Sequence, residues 1–129
     1  MIEIHPQKNF PLLEEYKKYF NITPHTIFAY DHKIYTDDEL PEHLIIHEMT
    51  HHIQQDEHGL DAWVTRYLND TKFRLDMEIE AYTMQLRSIK DRNKRAWQLM
   101  LSAKDLSGDL YGNIITKEEA VKTLKSLMV

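Results

Sequence analysis

Apolar residues recur at helical spacing along most of this chain and at strand spacing only near its start. Leu12, Leu13, Tyr16 and Phe20 share one face of a helix predicted over Pro11 to Phe20. Ile2 to His5 reads as a short strand. His25 to Tyr30 and Lys33 to Thr36 read as a hairpin around an Asp31-His32 turn. In the next segment Leu44, Ile45, Met49 and Ile53 recur at core-facing intervals. Pro41 suits a first helical turn, where its missing N–H is no loss, and Gly59 suits the stop. Leu60 to Asn69 reads as a helix that carries Trp63 and Tyr67 inward. Asn93 to Ser107 reads as another, with Trp97, Leu101 and Met100 buried and Gly108 at its end. Thr116-Lys117-Glu118-Glu119 forms a capping box that starts a last helix, Lys117 to Leu127, after a loop over Asp109 to Asn113.

These elements predict an α+β class: a mainly helical domain with a small N-terminal β-sheet or hairpin before the helix that follows Pro41. A chain of 129 residues, 42% apolar, suits one domain with one core. Residues 1–91 would hold that core. Residues 92–129 would be a helical extension, read as a packing appendage in preference to a far wall of a cleft or a partner surface. A net charge of −5 argues against binding nucleic acid through phosphate contacts. The absence of cysteine excludes a disulfide framework and a thiolate metal site. Met1 to Phe10 carries no apolar signal stretch and no run approaches a membrane span, so a cytoplasmic location without membrane contact is expected. Lys90, Arg92, Lys94 and Arg95 read as a solvated helix junction.

One helix carries chemistry beyond packing. His47, Glu48 and His51 form a His-Glu-x-x-His sequence. Residues four apart on a helix lie about 40° apart on one face, so His47 and His51 can aim imidazole nitrogens at one metal ion. Glu48, turned about 100° from His47, reaches past the ion to where a general base must stand. The plain alternative is surface histidines on an acidic helix, and His43, His52 and His58 show that this stretch carries spare ones. His43 precedes His47 by four residues, but it lies about 12 Å along the axis from His51, so the three cannot share an ion.

A third ligand comes from the helical wheel of Thr71 to Lys90. Phe73, Met77, Ala81 and Met84 make one apolar stripe, and Leu75, Ile79, Tyr82, Leu86 and Ile89 make another. Glu78 falls between them, facing inward with Gln85 as its polar neighbour. Glu80 falls on the far side with Asp76, Thr83, Arg87 and Lys90, as a solvated charge. A carboxylate inside an apolar arc needs a charged partner. A metal ion supplies one; a salt bridge to Arg74 or Arg66 is the alternative.

His47-Glu48-Met49-Thr50-His51 followed by Glu78-Ile79-Glu80-Ala81 resembles the gluzincin branch of zinc peptidases, over roughly Thr26 to Ile89. The small single-domain members are most similar, such as minigluzincins, ImmA/IrrE-type peptidases and related phage-encoded proteins. Metzincins would want Gly at position 54 and His at 57, where Gln54 and Glu57 stand, and peptide deformylase would need a cysteine. The resemblance implies a zincin-like domain with Zn2+ on His47, His51 and Glu78, and a strand beside the cleft that pairs with extended substrate. It departs at Tyr82, where several gluzincins place an Asp that supports a ligand histidine.

The function expected is a zinc-dependent peptidase acting on a peptide or protein substrate. Glu48 would be the catalytic base for a water activated by the ion, and Tyr82 or Tyr111 would be candidates to stabilise the oxyanion. Two other classes remain as expectations. One is a zinc-binding regulatory or host-takeover protein with weak or lost proteolysis, and the other a non-metal interaction module.

Overall fold

A computed structural model describes residues 2–128. Its elements run β1 (Glu3–His5), α1 (Leu13–Lys17), β2 (Phe28–Tyr30), β3 (Lys33–Tyr35), α2 (Glu42–His58), α3 (Leu60–Asn69), α4 (Thr71–Arg87), α5 (Arg92–Leu106) and α6 (Lys117–Leu127). Short 3-10 turns lie at Gln7–Asn9 and Asp109–Tyr111. The architecture is α+β, mainly helical with a small three-stranded sheet ahead of α2. No helix among the described residues is long and apolar enough to cross a membrane.

The sheet has the order β1-β3-β2. β1 pairs parallel to β3, and β2 pairs antiparallel to it with Phe28 opposite Tyr35 and Tyr30 opposite Lys33. Asp31 and His32 turn the hairpin with φ of 50° and 63°. Positive φ at both central residues is the two-residue turn whose twist matches paired strands. β3 is therefore the central strand, with Ile34 fully buried, and β2 is left as an edge.

Two apolar clusters hold the helices, and α4 contributes to both. The first is aromatic, built on Phe10, Tyr16, Phe28, Trp63, Tyr67 and Phe73. Phe10 stacks on Phe28 at 4.3 Å and Trp63 on Tyr67 at 4.7 Å between ring centres. The second joins Tyr82 and Leu86 of α4 to Leu99, Ala103 and Leu106 of α5 and Leu124 of α6. Side chains cap the starts of α4, α5 and α6. Asp70 accepts from Phe73 N–H, Asp91 accepts from Asn93 and Lys94 N–H, and Thr116 with Glu119 forms the expected capping box. Gly59, at φ 87°, ends α2 and starts α3 in a backbone conformation that other residues reach only under strain.

The apolar pattern misplaces two helix faces. α2 turns Met49 (41% exposed) and Ile53 (57% exposed) to solvent, although their spacing predicts a core face. It buries His47, Glu48, Thr50, His51, His52, Gln54 and Gln55 instead. Most of these polar groups find partners on other elements, which offsets their desolvation. His52 Nε2 donates to Lys33 O at 2.9 Å, and Gln55 Nε2 donates to Ala29 O at 2.8 Å. Periodicity registers polarity, not partners. In α5, Trp97 (65% exposed), Met100 and Leu101 face outward, where burial was expected. The buried stripe is Leu99, Ser102, Ala103 and Leu106, whose small members let α5 approach its neighbours closely. Pro41 is the N-cap residue of α2 rather than its first helical residue.

Candidate metal centre

α2 and α4 run against each other along the seam between the two clusters, and the polar faces of both meet there. His47 and His51, one turn apart on α2, face Glu78 on α4. His47 Nε2 lies 3.1 Å from Glu78 Oε1, and His51 Nε2 lies 3.1 Å from Glu78 Oε2. Glu78 is 2% exposed and each histidine 5%. Ligands at about 2.0–2.1 Å around a tetrahedral ion stand about 3.3 Å from one another. The three side chains thus form a buried cluster that could hold a metal ion.

The outward ring nitrogens are held as firmly. His47 Nδ1–H donates to Gln85 Oε1 at 2.9 Å, and His51 Nδ1–H donates to Gln54 Oε1 at 2.8 Å. In the neutral imidazoles that a metal would need, a proton on Nδ1 leaves the Nε2 lone pair for the centre of the cluster. Tyr67 O–H donates to Glu78 Oε2 at 2.6 Å, orienting the carboxylate from its other side. Tyr82, at the position where the gluzincin pattern would offer an Asp, packs its ring against His47 with centres 4.5 Å apart. The hydrogen bond from His47 Nδ1 goes to Gln85, three residues on.

Neither arginine that could have neutralised Glu78 does so. Arg74 is buried, but it donates to Tyr67 O (2.8 Å), Leu68 O (2.9 Å) and Tyr111 O (3.1 Å). Arg66 lies over the Phe73 ring and 3.9 Å from Asp70. Among the described residues, only His47 and His51 lie within ion-pair distance of Glu78. Burial alone would raise the Glu78 carboxyl and lower His51. The attraction and hydrogen bonds between them win, so Glu78 falls well below the usual carboxylate range and His51 is pushed up to about 9.

A folded-state pKa above the ordinary 6.5 gives stability that is complete below pH 6.5 and is lost as pH rises through about 9. The metal-free protein should therefore lose about 3 kcal/mol of unfolding free energy between pH 6 and 9.5. Urea titrations in excess chelator at the two pH values measure this. A flat profile would show that His51 and Glu78 are not coupled in the folded protein. Metal affinity should move the opposite way and strengthen with pH, because the ion must displace the His51 proton.

Glu48 stands apart from the three. Its Oε2 is 3.8 Å from His47 Nε2, and it makes no hydrogen bond among the described residues although it is only 6% exposed. Burial pushes its carboxyl up, against the pull of both histidines and with help from the Glu78 charge. Two cavities meet at Glu48 and His47. A small one of about 60 Å³ lies under the aromatic cluster, walled by Tyr16, Phe28, Trp63 and Tyr67. The other is a groove of about 550 Å³ between the β2 approach, α2 and α5. Gln98, Leu101, Asp105 and Tyr111 line that groove, so α5 and the 3-10 turn after it form its far wall, while α5 and α6 pack on α4. The Tyr82 and Tyr111 hydroxyls lie 3.1 Å apart, and burial keeps both protonated well above their ordinary range.

The structure thus brings His47, Glu48, His51 and Glu78 together and leaves His43 in the groove wall, outside the cluster. Gln54 and Tyr67 join the site without being legible as parts of it in the sequence. Their only signal was a buried polar position amid apolar neighbours, which many cores share. Glu80 is exposed as expected, yet it accepts from Gln54 Nε2 at 2.8 Å. No protein-family model, curated protein or solved structure matches this chain.

Proposed function

We propose that this protein is a zinc-dependent peptidase. The observation that carries the proposal is the division of labour between two buried carboxylates. Glu78 is sealed between two imidazoles and a tyrosine hydroxyl, whereas Glu48 makes no side-chain hydrogen bond among the described residues and opens on a groove. Two neutral imidazole nitrogens and one carboxylate oxygen suit zinc and leave a fourth position open. Bound zinc would supply Lewis acidity, polarising a carbonyl and acidifying water to a pKa near 7. Glu48 then takes the proton from the attacking water and returns it to the departing amine, a task that favours a carboxyl raised towards neutrality. Tyr111 lines both cavities and its hydroxyl, kept protonated, is the better placed of the two tyrosines to donate to the developing oxyanion.

β2 is the strand that could receive a peptide backbone. β3 is paired on both sides, whereas the outer edge of β2 borders the site. Gln55 already occupies the turn end of that edge, accepting from Asp31 N–H at 3.2 Å and donating to Ala29 O. Ile27, just before β2, lines both cavities and marks the open end where an extended segment could add by strand pairing.

Glu48→Gln keeps the volume and removes the base. It should lower kcat for peptide hydrolysis by about 10²–10⁴-fold while zinc stoichiometry stays at that of the parent protein. Wild-type turnover in the zinc-loaded variant would rule the mechanism out. A second reading, a zinc-binding regulatory protein with little turnover, draws support from the neutral carboxamides behind both histidines, which enrich an imidazole less than carboxylates do. Tight binding of a protein partner with no cleavage of it by the parent enzyme would favour that reading.

A further inference from the structure

We infer that Glu80, a surface carboxylate on α4, is a positioning residue that fixes the ligating form of His51 through Gln54. The inference rests on the metal reading of the His47, His51 and Glu78 cluster.

Gln54 is 1% exposed and lies between the two groups. Its Nε2 donates to Glu80 Oε1 at 2.8 Å and to Met77 O at 3.0 Å, while its Oε1 accepts from His51 Nδ1 at 2.8 Å. A carboxamide has two N–H hydrogens, and a carboxylate and a peptide carbonyl can only accept. Both hydrogens of Gln54 are therefore committed to α4. A flip of the amide would set its oxygen against two other oxygens. Its Oε1 must face His51, and an oxygen there is satisfied only by a ring N–H. In the neutral ring that a metal requires, His51 thus keeps its proton on Nδ1 and presents the Nε2 lone pair to the centre.

The corresponding support of His47 is not locked in this way. Gln85 Oε1 accepts from His47 Nδ1, but the amide nitrogen of Gln85 has no partner among the described residues. Glu80 is therefore specific to one of the two histidines. A plain alternative is that Glu80 and Gln54 only clamp α2 to α4. A clamp would contribute to folding and leave the affinity for metal untouched.

Zinc affinity, measured by competition with a chromophoric chelator, separates the two in Glu80→Ala, Gln54→Ala and the double variant. Loss of an outer hydrogen-bond partner commonly costs about 10–100-fold in metal affinity. Glu80→Ala should fall in that range, and it should add no further loss in the Gln54→Ala background, because it acts through Gln54. The His51 Nδ1–H proton in NMR gives a second readout. It should exchange faster with water in Glu80→Ala, while the His47 Nδ1–H proton keeps its protection. Unchanged affinity and exchange with only a lowered Tm would overturn the inference in favour of the clamp. An equal loss in both backgrounds would overturn it in favour of a direct charge effect. The exchange measurement is also made on metal-free protein. Failure of the parent protein to bind zinc would then sink the metal reading while the Gln54 relay is still tested.

Discussion

Glu78→Ala should yield a protein that purifies without stoichiometric zinc and is less stable even where no metal is present. Two effects combine. On the proposed zinc reading the ion would lose its only anionic ligand, so affinity should fall by more than the roughly 10–100-fold that an outer partner costs. In the metal-free state the change leaves His51 buried without its counter-charge and the Tyr67 hydroxyl without an acceptor. Removing one member of a buried ion pair costs about 3–5 kcal/mol. The pH dependence gives the sharper check. His51 sits at about 9 because the Glu78 charge and hydrogen bond outweigh its burial. Without Glu78 burial prevails, and the stability lost between pH 6 and 9.5 in the parent should not be lost in the variant. Metal analysis beside urea titrations at both pH values measures all of this. A variant that keeps stoichiometric zinc would remove Glu78 from the ligand set.

The second large effect is expected one turn before Glu78 on α4, at a residue that donates to none of the three cluster side chains. Arg74→Met should destabilise the protein by about 3–5 kcal/mol, because three buried carbonyls, those of Tyr67, Leu68 and Tyr111, lose their donor at once. Methionine replaces the aliphatic stem but offers neither the hydrogens nor the guanidinium that lies over the Phe20 ring. Arg74→Lys should recover little, since one ammonium cannot reproduce a planar fork that reaches the end of α3 and the Tyr111 turn together. Tyr67 holds Glu78 and Tyr111 lines the groove, so the variant should also weaken zinc binding. Chemical denaturation gives the stability; a loss below about 1 kcal/mol would mean that water replaces the guanidinium at these carbonyls.

Arg74 also bears on residues 92–129. Their 3-10 turn is tied through this arginine to the helix that carries Tyr67, and α5 walls the groove beside Glu48. Amphipathic spacing said that α5 and α6 were helices with a face to bury. It could not say that the exposed Leu101 and Asp105 would border a site built by α2 and α4.

What the sequence determined by itself is local or periodic. His47 and His51 share a face because the helix turns by about 100° per residue, and Glu78 points inward because it lies between two apolar stripes. The hairpin turn and the capping box at Thr116 likewise depend on neighbours a few residues away. The tertiary structure decided which face of α2 is buried. Met49 and Ile53 lie outside because Gln54 and Gln55 meet Glu80, Met77 and Ala29, groups 23 to 26 residues distant, at hydrogen-bond range. It also decided that Arg74 and Arg66 serve carbonyls and a ring rather than Glu78. The physical reason is one and the same. Burying a polar group is unfavourable until a partner is present, and the partner stands on another element whose placement no local spacing encodes.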